Sequence, residues 1–106
     1  MEDFNRVTIL GRATKNAELK FTPQGTAICN FSIANNRRKE NEAIFINITV
    51  FGKLAEAVTE FITKGKQILV HGSIEIDSWE KDGQKFTAPK IIADTVQLTG
   101  KKEEKE

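Results

Sequence analysis

Residues 43–51 read AIFINITVF and are followed by Gly52. The even-numbered positions are all aliphatic, which predicts a β-strand with one face in the core. The odd-numbered positions are Phe45, Asn47, Thr49 and Phe51. A half-buried strand usually has polar residues on its second face, so the two aromatic rings are unexpected there. Either this face is also covered, in a second core or a subunit contact, or the rings are exposed for binding.

Beyond Gly52 the spacing of apolar residues changes from two to a helical period. They fall at Leu54, Ala57, Val58, Phe61 and Ile62. This spacing predicts a helix of roughly three turns. Lys64-Gly65 is typical of a helix C-terminal end, so the helix is expected to stop there.

Further β-strands are predicted before the 43–51 strand and after the helix. Alternation indicates strands at residues 7–13 and 27–33, separated by a turn at 23–26. After the helix, residues 67–77 alternate, with a bend expected at Gly72. Asp82-Gly83 is a hairpin signal, and a last strand runs from about Lys90 to Leu98. Three strands, a helix and further strands in a short chain favour an all-β fold, namely an OB-fold. This is a five-stranded Greek-key barrel with one helix between strands 3 and 4 and a projecting hairpin.

Composition narrows the class of protein. The 106 residues allow one domain, expected at 1–100, with a flexible mixed-charge tail at 101–106. The 39% hydrophobic content and the absence of a long apolar run exclude a disordered or membrane-spanning chain. The lone Cys29 excludes an internal disulfide, and no signal peptide is visible, so a cytoplasmic location is expected. A net charge of +1 argues against a binder of bulk duplex DNA.

Several residues have both a functional and a structural interpretation. Exposed aromatic side chains on the third strand would stack unpaired nucleic-acid bases. Trp79, before the hairpin, is either a lid on the core or a stacking arm. The basic run Arg37-Arg38-Lys39 is either a solvated loop or a phosphate contact. Enzyme interpretations are weak, because His71 has no partner for a metal site and no catalytic motif occurs. We expect no cofactor, no metal and no enzymatic activity.

The chain resembles the bacterial single-stranded DNA-binding proteins of the SSB type over nearly all of residues 4–99. The resemblance is carried by residues 5–12, 18–25, 50–56, 63–67, Trp79 with its hairpin, and 93–96. It implies an OB-fold that binds single strands without strong sequence preference during replication, recombination and repair. It also implies a non-enzymatic homo-oligomer, with a tetramer favoured over a dimer, in the bacterial cytoplasm and associated with the nucleoid.

The resemblance assigns roles to particular residues. Phe51 and Trp79 match stacking aromatics of the family, and Phe45 takes the place of a stacking tryptophan. Arg6, Lys20, Lys53 and Lys64 match basic positions near the strand path. With the residues proposed from local pattern, the predicted nucleic-acid-binding set is Arg6, Arg12, Lys20, Arg37, Arg38, Lys39, Phe45, Asn47, Phe51, Lys53, Lys64, Trp79 and Phe86.

Three features depart from the family pattern. A further stacking aromatic of the family aligns near Lys39, and Glu75 and Asp77 lie in a stretch that is commonly basic. The acidic C-terminal tip that recruits repair enzymes is absent, so this recruitment is not expected. An alternative function is an OB-fold adaptor of a replication-restart or recombination complex, with Phe45 and Phe51 in a protein interface. A hydrolase using Glu75 and Asp77 has no supporting motif.

Overall fold

Five of the six strands close into a barrel in the computed structural model, which describes residues 3–36 and 42–99. The strands are β1 (Val7–Ala13), β2 (Glu18–Phe21), β3 (Ala27–Asn36), β4 (Ala43–Phe51), β5 (Gln67–Lys81) and β6 (Gln84–Leu98). The helix α1 (Gly52–Val58) continues into a 3₁₀ turn at Thr59–Phe61. Arg37, Arg38, Lys39 and the predicted tail at 101–106 lie outside the described residues.

The strand pairing closes on itself. Going round the barrel, the order is β1, β5, β6, β4, β3, and β1 again through the pairs Arg12–Ala34 and Ala13–Ile33. Neighbouring strands are antiparallel except β4 and β6, which are parallel. The predicted OB-fold is therefore confirmed, with the helix between the third and fourth barrel strands. The short strand β2 pairs with β3 outside the barrel. It was not predicted, because all four of its residues are exposed and leave no alternating signal.

The barrel interior is filled by inward-facing aliphatic residues. β3 contributes Ala27, Cys29, Phe31 and Ile33, as its alternation predicts. Ile48 and Val50 of β4 meet Ile91 and Ala93 of β6 in the same interior. Burial raises the pKa of the Cys29 thiol, although a hydrogen bond with Thr59 partly offsets the effect. Cys29 therefore acts as a small buried apolar residue of the core.

The helical segment covers the barrel with a face that only partly matches the predicted one. Ala55, Val58 and Ile62 are buried, whereas Ala57 and Phe61 are exposed. The segment is also not a regular three-turn helix, since its last turn is 3₁₀. A 3₁₀ turn has three residues per turn and rotates later side chains away from positions that a 3.6-residue period predicts. The predicted burial of Ala57 and Phe61 is wrong, and the 3₁₀ turn accounts for Phe61, which lies within it, whereas Ala57 lies earlier, in α1.

The β5–β6 hairpin bends where the sequence predicts it. His71 lies opposite Thr95 but Gly72 lies opposite Ala93, so Asp94 is an extra residue in β6. At the tip, Asp82 and Gly83 both have positive φ angles, of 53° and 78°. This geometry is that of a type I′ turn.

The outer part of the hairpin extends past the barrel. Ile74 and Ile76 continue the inward-facing alternation of β5 but are 38% and 62% exposed. Both side chains are exposed because this part of the hairpin projects beyond the barrel core.

Candidate nucleic-acid interface

The outer face of β4 carries the two aromatic rings that the alternation leaves unexplained. Phe45 is 68% exposed and Phe51 is 45% exposed. Neither ring therefore belongs to a second core within the described chain. Thr49, between them, is buried, and its Oγ1 donates a hydrogen bond to Asn30 Oδ1 at 2.9 Å. Thr49 is thus held within the sheet by Asn30, whereas Asn47 is exposed on this face.

Strand register brings basic residues to the same face. Phe51 lies opposite Ile28 of β3, which lies opposite Lys20 of β2. Directly opposed residues in antiparallel strands project from the same side of the sheet, so Lys20 shares the face of Phe51. Strands are spaced by about 4.8 Å, which puts the two backbones roughly 10 Å apart.

The opposite end of β4 has an equivalent arrangement. Phe45 lies opposite Ala34 of β3, and Ala34 lies opposite Arg12 of β1. Arg12 is also restrained, because its Nη1 donates to the carbonyl of Gly65 at 3.1 Å. Each exposed phenylalanine of β4 therefore has a basic residue two strands away on the same face.

The hairpin adds a second aromatic group to this face. Trp79 and Phe86 are opposed across the hairpin, with ring centroids 5.9 Å apart and planes inclined by 21°. Lys90 lies opposite both Asn47 of β4 and Glu75 of β5, so the register runs continuously from β4 to the hairpin. Trp79 is 47% exposed. It is therefore an exposed arm and not a lid on the core.

A polar groove of about 580 Å³ crosses the sheet between these two aromatic groups. It is bordered by the β1–β2 loop, the start of β2, and the outer faces of β3, β4 and the hairpin. Polar and charged side chains line most of it, namely Thr14, Lys15, Asn16, Glu18, Asn30, Ser32, Asn47, Thr49, Asp77 and Lys90. Ser32 Oγ donates to Asn47 Oδ1 at 3.4 Å across the groove floor.

Most of these groove residues were missed from the sequence. Asn30 and Ser32 alternate with the buried residues of β3, and that outward position was the available signal. Lys15, Asn16, Glu18 and Lys90 gave no local signal. They reach the groove only through the register of distant strands and the path of the β1–β2 loop.

The remaining predicted cations lie around the edge of this face. Lys53 is the second residue of α1 and is exposed, two positions after Phe51. The backbone N–H of Lys64 donates to Asn16 Oδ1 at 2.9 Å. Lys64 shares a shallow depression with Lys15, Asn16, Ala17 and Glu18, next to the groove. Lys64 is therefore adjacent to groove residues, although it is far from them in the sequence.

Arg6 differs from the other predicted cations. Its Nη2 donates to Asp94 Oδ2 at 2.9 Å, next to the bulge in β6. This hydrogen bond, with a smaller one from Thr95, holds the pKa of Asp94 below its usual value. The structure thus places Arg6 in an ion pair with Asp94.

Two other kinds of site have no support in the described residues. Across 3–36 and 42–99, no group of three His, Cys, Asp or Glu side chains is arranged to hold a metal ion. Within the same residues, no helix has the length and apolar character needed to cross a membrane. The ring of His71, considered above as a metal ligand, shares a 2.6 Å hydrogen bond with the hydroxyl of Thr8.

The sequence model of the single-strand binding protein family matches residues 4–99 of this chain. The chain belongs to this family. The match covers every strand of the barrel and both aromatic groups of the outer face.

Relatives support the same assignment. The chain is 40% identical over 106 residues to the single-stranded DNA-binding protein of Treponema pallidum, covering 94% of this chain and 60% of that protein. It is 38% identical to the protein of the same name from Borreliella burgdorferi, covering 92% of this chain and 71% of that one. Identity to the Clostridium tetani protein of this name is 44%, over 89% of this chain and 69% of that one. The chain therefore spans about three fifths to seven tenths of these relatives.

Proposed function

We propose that the chain binds single-stranded DNA without strong sequence preference, by base stacking and phosphate contacts. The observation that carries this proposal is the shared outer face of Phe45, Phe51, Trp79 and Lys20. Stacking tolerates any base because every base has a π-face. A basic residue two β-strands away from a ring that stacks a base is suitably placed to contact the phosphate backbone of the same DNA strand. The names of the relatives describe the same ligand.

The proposed roles divide by chemistry. Phe45, Phe51, Trp79 and Phe86 stack bases, and Asn47 makes polar contacts between them. The cations that hold phosphates are Arg6, Arg12, Lys20, Lys53 and Lys64, together with Arg37, Arg38 and Lys39 outside the described residues. We propose no catalytic role for any residue.

Single strands fit this surface better than duplex DNA. Bases in a duplex are paired and stacked on each other, so their faces are not available to protein rings. A duplex binder depends instead on many phosphate contacts, and the net charge of +1 provides little general attraction. The exposed rings therefore have their natural ligand in unpaired bases.

A fluorescence titration tests the proposal directly, since Trp79 is the single tryptophan and the chain has no tyrosine. Oligo-dT is added to the protein at two salt concentrations, followed by a duplex of equal length. We expect strong quenching by dT, weaker quenching at high salt, and none with the duplex. Absence of both quenching and a gel shift with dT would reject single-strand binding.

A protein-interaction adaptor is the second candidate function. It is favoured by large apolar side chains that remain exposed away from the groove, including Phe4 at 89% and Ile76 at 62%. In that case Phe45 and Phe51 would lie in a protein interface. Loss of an oligomer after Phe51→Ala, with DNA affinity unchanged, would support the adaptor. Loss of DNA affinity with the oligomer unchanged would support the DNA-binding function.

We further propose that the chain acts as a homo-oligomer, with a tetramer favoured, in the replication, recombination and repair of bacterial cytoplasmic DNA. The exposed side chains of Leu10 on β1 and of Ile74 on the projecting hairpin provide apolar surface for association. Light scattering coupled to size-exclusion chromatography measures the state directly. A monomer at micromolar concentration would contradict this part of the proposal.

A further inference from the structure

An ion pair occupies the middle of the candidate DNA-binding face. Lys90 Nζ lies 3.0 Å from Asp77 Oδ1, and both side chains line the polar groove. The Lys90 side chain is 21% exposed, whereas that of Asp77 is 52% exposed. The cation is thus the more enclosed partner, and the carboxylate is the more accessible one.

The register fixes where this pair lies relative to the rings. Lys90 is opposite Asn47 on β4, and Asp77 is one step along the same face of β5 from Trp79. A DNA strand that runs along β4 past Asn47 to reach Trp79 therefore passes beside the Asp77–Lys90 pair. Glu75 lies opposite Lys90 on the same face, so this path meets a second carboxylate.

We propose that Lys90 is a DNA-binding residue that is ion-paired with Asp77 in the free protein, and that this pair opens when a DNA strand crosses the groove. In the free protein the ammonium group donates to the Asp77 carboxylate. In the complex it donates to a phosphate or a base acceptor, and Asp77 turns toward solvent. Asp77 is then an internal competitor of the nucleic acid. This inference rests on the proposed single-strand binding.

Competition of this kind has a measurable signature in salt dependence. A lysine that is already paired with a carboxylate contributes little to the release of counterions when DNA binds. Removing the Asp77 charge frees Lys90 to neutralise a phosphate. Each phosphate neutralised on a single strand changes the slope of log K against log salt by about −0.7.

The test is Asp77→Asn, with Glu80→Gln as a matched control. Glu80 lies on the same strand of the same hairpin and is exposed, but it projects from the opposite face to Trp79 and Asp77. Both variants lose one negative charge, so long-range attraction for DNA changes equally. Binding of end-labelled oligo-dT is measured by fluorescence anisotropy at several NaCl concentrations.

We expect Asp77→Asn to bind dT about two- to fivefold more tightly than Glu80→Gln, the range that corresponds to an exposed ion pair. Its salt slope should be steeper by up to about 0.7. Adding Lys90→Met to Asp77→Asn should abolish the gain, whereas Lys90→Met alone should weaken binding only slightly.

Two results would overturn the inference. Equal affinities of Asp77→Asn and Glu80→Gln would show that only net charge matters. A gain that persists in the double variant would show that Asp77 repels DNA without restraining Lys90. In both cases wild-type quenching by dT would leave the proposed function intact. Failure of the wild-type protein to bind dT would instead reject both proposals.

Discussion

Trp79 and Phe86 face each other across the hairpin at 5.9 Å with nearly parallel rings. Both rings remain partly exposed, Trp79 by 47% and Phe86 by 39%, so each keeps surface available for a base. Phe86 also limits the orientations that Trp79 can adopt. The two residues are therefore expected to act as a unit and not as independent contacts.

A double-mutant cycle tests this coupling. We expect Trp79→Ala to weaken dT binding by about 1–3 kcal/mol, the usual contribution of a stacked base. Phe86→Ala should weaken it as well, and the double variant should lose less than the two single losses combined. The coupling should be about 0.5–1.5 kcal/mol, as for other aromatic pairs. Losses that add within about 0.3 kcal/mol would show that the two rings bind independently.

The phenylalanines of β4 allow a comparison with an equally exposed ring elsewhere. Phe45→Ala and Phe51→Ala should each weaken dT binding by about 1–3 kcal/mol, which is roughly five- to 150-fold. Phe61 is 53% exposed, but it lies on the 3₁₀ turn that follows α1. Phe61→Ala should therefore leave affinity unchanged. Comparable losses at Phe61 and Phe51 would locate the strand path away from β4.

Salt dependence distinguishes free cations from paired ones. Lys20→Ala and Lys53→Ala should each flatten the salt slope for oligo-dT by somewhat under one unit, because each removes one phosphate contact. Arg6→Ala should flatten it less, since Arg6 is paired with Asp94. Slopes come from titrations at several NaCl concentrations. An unchanged slope for Lys53→Ala would remove Lys53 from the phosphate contacts.

The close approach of β5 and β6 at Gly72 predicts a stability effect. A Cβ at this position would collide with the carbonyl oxygen of Ile92 and lie 2.8 Å from Ala93 Cα. Both neighbours are backbone atoms, so a rotamer change cannot relieve the overlap. Gly72→Ala should lower the free energy of unfolding by about 1–3 kcal/mol. Ser78→Ala, at an exposed site on the same hairpin, should change it by less than about 0.5 kcal/mol in the same urea titration.

Local pattern was sufficient for most of the barrel. Strict alternation predicted the buried face of β3, and in β4 it held for Ile48 and Val50 but not for Ile44, which is 45% exposed. Asp82-Gly83 predicted the hairpin because both positions tolerate positive φ. The pattern failed where geometry departs from an ideal period. The 3₁₀ turn rotated Phe61 out of the core, and the projecting hairpin exposed Ile76 despite its register.

The aromatic rings are the part of the candidate site that local pattern makes most conspicuous. Phe45, Phe51 and Trp79 are conspicuous because large apolar side chains among polar neighbours break the expected pattern. Lys90 and Asn16 are ordinary polar residues in their own segments. Their place in the groove follows from pairings between residues more than forty positions apart, such as Asn47 with Lys90.

The sequence by itself determined the five barrel strands, the turns, most of the apolar interior and the identity of the rings, because these depend on side-chain period and local backbone preference. Tertiary structure alone decided which polar groups meet those rings. Barrel closure fixes strand register, and register decides that Lys20 shares a face with Phe51 and that Lys90 pairs with Asp77. A one-residue change in register would move every such side chain to the other face of the sheet.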